Sequence, residues 1–178
     1  MSNTKIGIIV GTNRNDSQSE EVAKYYSKKI TEAGFETTTI SLRDLPHDFA
    51  FSALYSNAGK NSAFQNFQDK IDACQKLVFV IPEYNGSYPG VLKTFIDGLR
   101  HPDSLAHKKI ALVGVSSGVL GNAVGLSHID DVLSYLNANV MGLRIKLGNI
   151  SQHFKDGDFS NPIYQNFIEK QIKIFLEF

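Results

Sequence analysis

Short apolar runs alternate along the chain with longer amphipathic stretches. Alternation of that kind marks a parallel β-sheet whose strands are joined by crossover helices. Residues 5–10 (KIGIIV), 77–81 (LVFVI) and 110–115 (IALVGV) are almost continuously apolar. Strands of that kind are covered on both faces and belong in the middle of a sheet. Residues 36–42 (ETTTISL) and 140–147 (VMGLRIKL) mix polar with apolar positions and belong at its edges. The first, third and fourth strands are therefore central, and the second and fifth are outer. The doubly wound order 2-1-3-4-5 meets that partition, whereas the order 3-2-1-4-5-6 would bury the polar second strand.

Helical periodicity fills the gaps. Ser17-Gln18-Ser19-Glu20 reads as a capping box, followed by Val22, Tyr26, Ile30 and Ala33 on one face and by Gly34 as a stop. Phe64, Phe67 and Ile71 mark a second helix. Val91, Leu92, Phe95, Ile96 and Leu99 mark a third. Ile129, Val132, Leu133 and Leu136 mark a fourth, and Asn161-Pro162 opens a last one. Residues 43–60 show no period and read as a long loop with a short helical piece, of a length that often covers a site.

The 178 residues fit one domain spanning 1–178. Basic and acidic residues balance at 18 each, which argues against nucleic acid or an anionic membrane as partner. Cys74 is the single cysteine, so no disulfide forms within the chain and no all-cysteine zinc site exists. It reads as a small core residue at the end of a helix. The five histidines have no metal-ligand spacing. The N-terminal apolar run is too short for a signal-peptide core or a membrane span, so the expected location is the cytoplasm.

In the order 2-1-3-4-5 a ligand is expected at the carboxyl ends of the strands, between strands one and three. The loop at residues 11–19 joins a buried strand to a capped helix. It offers the hydroxyls of Thr12, Ser17 and Ser19, the amides of Asn13 and Gln18, and the guanidinium of Arg14. It lacks both Gly-Lys-Ser/Thr and Gly-x-Gly-x-x-Gly. Many donors at a helix N-terminus suit a terminal phosphomonoester. An ordinary polar turn is the plainer reading. The loop at residues 82–90 is rich in Gly, Pro and Asn, with Tyr84 and Tyr88 as aromatic surface. Its backbone suits a flat ligand, although a hydrophilic connection has the same composition. In the third loop Gly114-Val115-Ser116-Ser117-Gly118 matches the Gly-x-Ser-x-Gly nucleophile elbow. A serine hydrolase would need an acid (Asp130, Asp131 or Asp158) and His153 as base. His153 follows the fifth strand too closely for that, and five strands are few for such a sheet.

Two of these loops resemble a known family. Gly11-Thr12, Arg14 and Ser17 resemble the Gly-Ser-x-Arg-x-x-Ser loop of the NAD(P)H-dependent FMN reductases. Pro82-Glu83-Tyr84-Asn85-Gly86-Ser87, Pro89-Gly90-Val91-Leu92-Lys93 and Ile96-Asp97 resemble that family's long second signature. The likeness covers about the first 140 residues in the expected order. It implies a flavodoxin-like three-layer sandwich with non-covalent FMN and a homodimer or homotetramer. NADPH or NADH would be the electron donor, and quinones, flavins, azo compounds or metal oxyanions the small acceptors. By the same resemblance Thr12, Arg14, Ser17 and Ser19, with Gln18 beside them, would hold the FMN phosphate. Pro82, Glu83, Tyr84, Asn85 and Gly86 would line the isoalloxazine ring, and Ser116, Ser117 and Gly118 would close its other side. No acid–base side chain is required, because the cofactor carries the chemistry. Thr12 stands for the usual serine, Gly98 for a frequent tryptophan, and Gly121-Asn122 for a more glycine-rich stretch. A flavin-binding electron carrier without NAD(P)H activity is the first alternative, and the serine hydrolase the second. Such carriers are markedly acidic, and the 18-to-18 balance is a poor match for one.

Overall fold

Residues 4–178 are described here, in a computed structural model. The three apolar runs form the centre of the sheet as β1 (Lys5–Val10), β3 (Lys76–Pro82) and β4 (Lys109–Val115). All pairings within this sheet are parallel, and β2 (Glu36–Ser41) flanks β1. The order is 2-1-3-4-5, as the polarity of the strands requires.

Period-two alternation divides the core into two layers. Ile9, Leu77, Phe79, Ile81, Ile110 and Leu112 face one side. There they meet α3 (Ser62–Asp72), α4 (Gly90–Gly98) and α5 (Ala123–Tyr135) through Phe64, Phe95 and Ile129, among others. Ile6, Ile8, Val10, Val78, Val80 and Val113 face the other side. They pack on Val22, Tyr26 and Ile30 of α1 (Gln18–Glu32) and on Ile168, Ile172 and Phe175 of the last helix, Pro162–Glu177. Cys74 is buried in the first layer, and burial holds its thiol above the ordinary value. The result is a three-layer sandwich.

The fifth strand differs from the expected continuous run at 140–147. It is split into β5 (Asn139–Val140) and β6 (Ile145–Leu147), both parallel to β4. The residues between them are recruited elsewhere. Gln171 donates to the Leu143 carbonyl at 2.8 Å, and Arg144 pairs with Asp130 of α5 at 2.6 Å. Gly142 adds no side chain to hold the chain in the sheet.

Residues 43–60 contain the short helix α2 (Phe49–Ser52) between two 3-10 turns. Phe49 stacks on Phe64, with ring centres 5.9 Å apart and planes within 5°. Leu45, Phe49, Ala53 and Leu54 are buried, so this segment closes the core over α3 and α4. Phe64 also fills the space beside Gly98, where an added Cβ would come within 2.6 Å of its ring. Beyond β6 lie α6 (Ile150–His153) and a small hairpin, β7 (Phe154–Lys155) with β8 (Asp158–Phe159). The last helix, α7, follows it.

Candidate functional site

The loop after β1 is built around Thr12. Gly11 donates to the Val80 carbonyl at 2.9 Å, and a Cβ there would press that oxygen at 3.2 Å. Thr12 is fully buried, and its hydroxyl accepts from the Arg14 amide at 3.1 Å. The same hydroxyl lies 2.7 Å from the phenol of Tyr84, joining the first loop to the second. The turn this enforces leaves the Arg14 guanidinium exposed, with no acidic partner among the described residues. Ser17 is the N-cap of α1 and accepts from the Glu20 amide at 3.2 Å. The reciprocal arm of the capping box is missing, because the Glu20 carboxylate turns to Arg43 at 2.8 Å. Gln18 and Ser19, in the first helical turn, carry N–H groups that the helix itself leaves unpaired.

In the second loop the Glu83 amide continues the sheet by donating to the Val115 carbonyl at 2.9 Å. Tyr84 and Ser87 then exchange backbone hydrogen bonds of 2.9 and 3.1 Å across a two-residue turn. Asn85 and Gly86 form that turn with φ of 51° and 72°, the left-handed pair that Asn-Gly adopts most readily. Asn85 and Gly86 are exposed, and their amides are left out of the hairpin pair. Ser87 hydrogen-bonds Nδ1 of His128, on α5, at 2.8 Å.

The third loop is tied down by Ser116. Its hydroxyl donates to the Gly118 carbonyl at 2.7 Å and accepts from the Gly121 amide at 2.9 Å. Helix α5 begins only at Ala123, and the His153 ring packs edge-on against Tyr164, 5.4 Å between centres. An elbow nucleophile would need a free hydroxyl at a sharp strand-to-helix turn. The Gly-x-Ser-x-Gly match is therefore a loop-forming device here, which goes against the serine-hydrolase alternative.

The three loops meet around a cavity of about 280 Å³. Arg14, Ser17, Gln18 and Ser19 line one end, Pro82, Glu83 and Tyr84 one wall, and Ser116 and Ser117 another. Thr12 lies behind the wall, while Asn85, Gly86 and Gly118 are exposed outside this lining. Sequence reasoning missed Asp16, Val115 and Ile150, which also line it. Ile150 arrives from beyond β6 and carries no local signal. Asn122, also missed, is fully buried between the second and third loops. A Gly-Asn pair immediately before a helix was the signal available for it.

A sequence profile of NADPH-dependent FMN reductases matches residues 4–150. The chain belongs to that family. This FMN reductase homologue is thus an oxidoreductase of a family defined by FMN and NADPH. It is 31% identical over 177 residues to a quinone reductase of Escherichia coli strain K12, covering 96% of this chain and 92% of that one. Its fold superposes with a TM-score of 0.79 on FerB, a flavoenzyme NAD(P)H:(acceptor) oxidoreductase from Paracoccus denitrificans. That likeness spans 98% of this chain and 96% of the other at 23% identity. A flavodoxin from the domain Archaea superposes at 0.58 over 98% of both chains at 11% identity, so the sandwich is flavodoxin-like.

The residues fit the family's cofactor. An unpaired guanidinium, hydroxyls and free amides at the start of a 15-residue helix suit a phosphate dianion. A wall of Pro82, Glu83 and Tyr84 adjoins that end. Among the described residues no group of His, Cys, Asp and Glu is arranged to hold a metal, and no helix is long and apolar enough to cross a membrane.

Proposed function

We propose that residues 1–178 form one FMN-binding unit that oxidises NADPH or NADH and reduces quinones or other small acceptors, by a ping-pong cycle at one site. The observation that carries this reading is the convergence of three loops on one cavity, with unspent donors in the first two. In it Arg14, Ser17, Gln18 and Ser19 hold the phosphate, and Thr12 acts from behind by fixing Tyr84 and the Arg14 amide. Pro82, Glu83, Tyr84, Asn85 and Gly86 carry the ring, and Ser116, Ser117 and Gly118 close its other side.

Bound FMN supplies hydride-accepting and hydride-donating chemistry. The chain supplies position and electrostatics. The free amides of Asn85 and Gly86 are fixed dipoles that stabilise negative charge without reorganising. No side chain is assigned a proton-transfer step. The zero formal charge favours this reading over an acidic electron carrier. A homodimer or homotetramer in the cytoplasm, where reduced nicotinamide cofactors are made, completes the proposal.

The decisive experiment is spectroscopic and kinetic. The purified protein reconstituted with FMN is expected to be yellow. It should oxidise NADPH or NADH with a quinone, and initial rates at several quinone concentrations should give parallel double-reciprocal lines. A colourless protein that does not take up FMN would overturn the reading. Uptake of FMN without NAD(P)H oxidation would turn it to the carrier.

A further inference from the structure

We infer that Asn122 is a positioning residue that locks the second loop to the third and keeps the site formed before any ligand enters. It occupies the N-cap position of α5, yet its side chain does not cap that helix. Its amide nitrogen donates instead to the carbonyls of Ile81 at 3.2 Å and Pro82 at 3.0 Å. Its backbone N–H donates to the Glu83 carboxylate at 3.2 Å. One residue of the third loop thus holds three successive residues, Ile81 and Pro82 at the end of β3 and Glu83 at the start of the second loop.

Two features show that Asn122 is held there against local cost. Its backbone is left-handed, with φ 60° and ψ 35°. Its Oδ1 is buried with no hydrogen-bond partner. Turning the amide over would aim that oxygen at two carbonyl oxygens, so the bonds to Ile81 and Pro82 fix the orientation. The neighbouring surface is cut to fit it. A Cβ on Gly125 would fall 2.1 Å from Oδ1 and 2.7 Å from the Ser87 carbonyl carbon, so α5 can approach both only with glycine there. A buried unpaired acceptor and a left-handed backbone persist where the surroundings over-determine them. Here the surroundings are the two loops that Asn122 joins.

The test uses Asn122→Gly and Asn122→Asp. Glycine keeps the left-handed backbone and deletes the two side-chain bonds. Aspartate keeps shape and volume but points an oxygen at the Ile81 and Pro82 carbonyls. Amide hydrogen exchange of the protein without added flavin reads the lock directly, at the Glu83, Tyr84 and Ser87 amides that close the second loop. Exchange there should accelerate about tenfold in the glycine variant and further in the aspartate variant, with β1 amides unchanged. FMN affinity should fall about tenfold for glycine and more for aspartate.

Wild-type exchange at those amides in Asn122→Gly, equal acceleration throughout the molecule, or an aspartate variant no worse than glycine would each overturn the proposal. So would accelerated exchange with unchanged FMN affinity. The affinity measurement rests on the flavin reading above, and the exchange measurement does not. A wild-type protein that takes up no FMN would refute that reading while leaving exchange to decide the lock.

Discussion

The two ends of the sheet treat their polar groups in opposite ways. At the amino end Lys76 is buried and donates to the carbonyls of Phe175 and Leu176, both at 2.8 Å. Lys108 donates to the Cys74 carbonyl and Lys109 to that of Phe178. Each ammonium is spent on a backbone oxygen, and two of them gather the end of α7 onto the sheet. Burial lowers the pKa of Lys76, with Lys109 adding to the effect, and burial lowers that of Lys108. At the carboxyl end the Arg14 guanidinium, the Gln18 and Ser19 amides of α1 and the amides of Asn85 and Gly86 are unspent. Self-satisfied polar groups hold a structure together, and unsatisfied ones wait for a ligand. The same β3 serves both purposes, with Lys76 at one end and the Asn85-Gly86 turn beyond the other.

The largest effect should come from Gly114→Ala. An added Cβ would fall 2.1 Å from the Gly121 carbonyl oxygen, backbone against backbone. We expect a loss of about 3 kcal/mol or more in urea unfolding, together with loss of FMN uptake. Wild-type affinity in this variant would show that the third loop is not needed at the ligand end.

Arg14→Ala should weaken FMN binding by about 1.5–3 kcal/mol, the range for a hydrogen bond to a charged group. Stability should change by less than about 0.5 kcal/mol, because the side chain is exposed and unpaired. Fluorescence titration and thermal melting of one preparation separate the two. Lys76→Met should give the reverse pattern. It keeps the stem and deletes the ammonium, so it should cost about 1–2 kcal/mol of stability and leave FMN affinity unchanged. A binding defect in Lys76→Met would break the division between the ends.

The smallest effect concerns neither end. Tyr26 donates to Oε1 of Gln171 at 2.9 Å, deep between α1 and α7. Burial first, and then Tyr25, raise its phenol well above the ordinary 10.0. The unfolded phenol therefore loses its proton while the folded one keeps it, so stability falls as pH rises above about 10. Tyr26→Phe should cost about 1 kcal/mol at pH 7 by unpairing Gln171, and should flatten the alkaline decline. An unchanged slope between pH 9 and 11 would assign the decline to other groups.

The centre of the fold was legible because its physics is local. KIGIIV, LVFVI and IALVGV are buried on both faces, and a two-sided strand has no reason to carry polar residues. The fifth strand was not legible in detail. Nothing near Leu143 or Arg144 announces that Gln171 and Asp130 will draw them out of the sheet. The hairpin at β7 and β8 escaped periodicity because each strand has two residues, although Asp156-Gly157, with φ of 51° and 79°, is its turn signal. At the site the loops were legible as composition and motif. How they lock together was not, because the Thr12–Tyr84 contact and the bonds of Asn122 join residues about 40 to 72 positions apart.

Cys74 has a practical consequence. It is the only thiol in the chain, it is fully buried, and burial keeps it protonated above the usual range. Protonated and enclosed, it is a poor nucleophile toward oxidants and alkylating reagents. The native molecule should therefore tolerate storage without a reducing agent and resist covalent cross-linking to its own copies. A thiol-reactive dye added to the untagged protein becomes a clock for opening at the lysine-clamped end of the sheet, with no label to engineer.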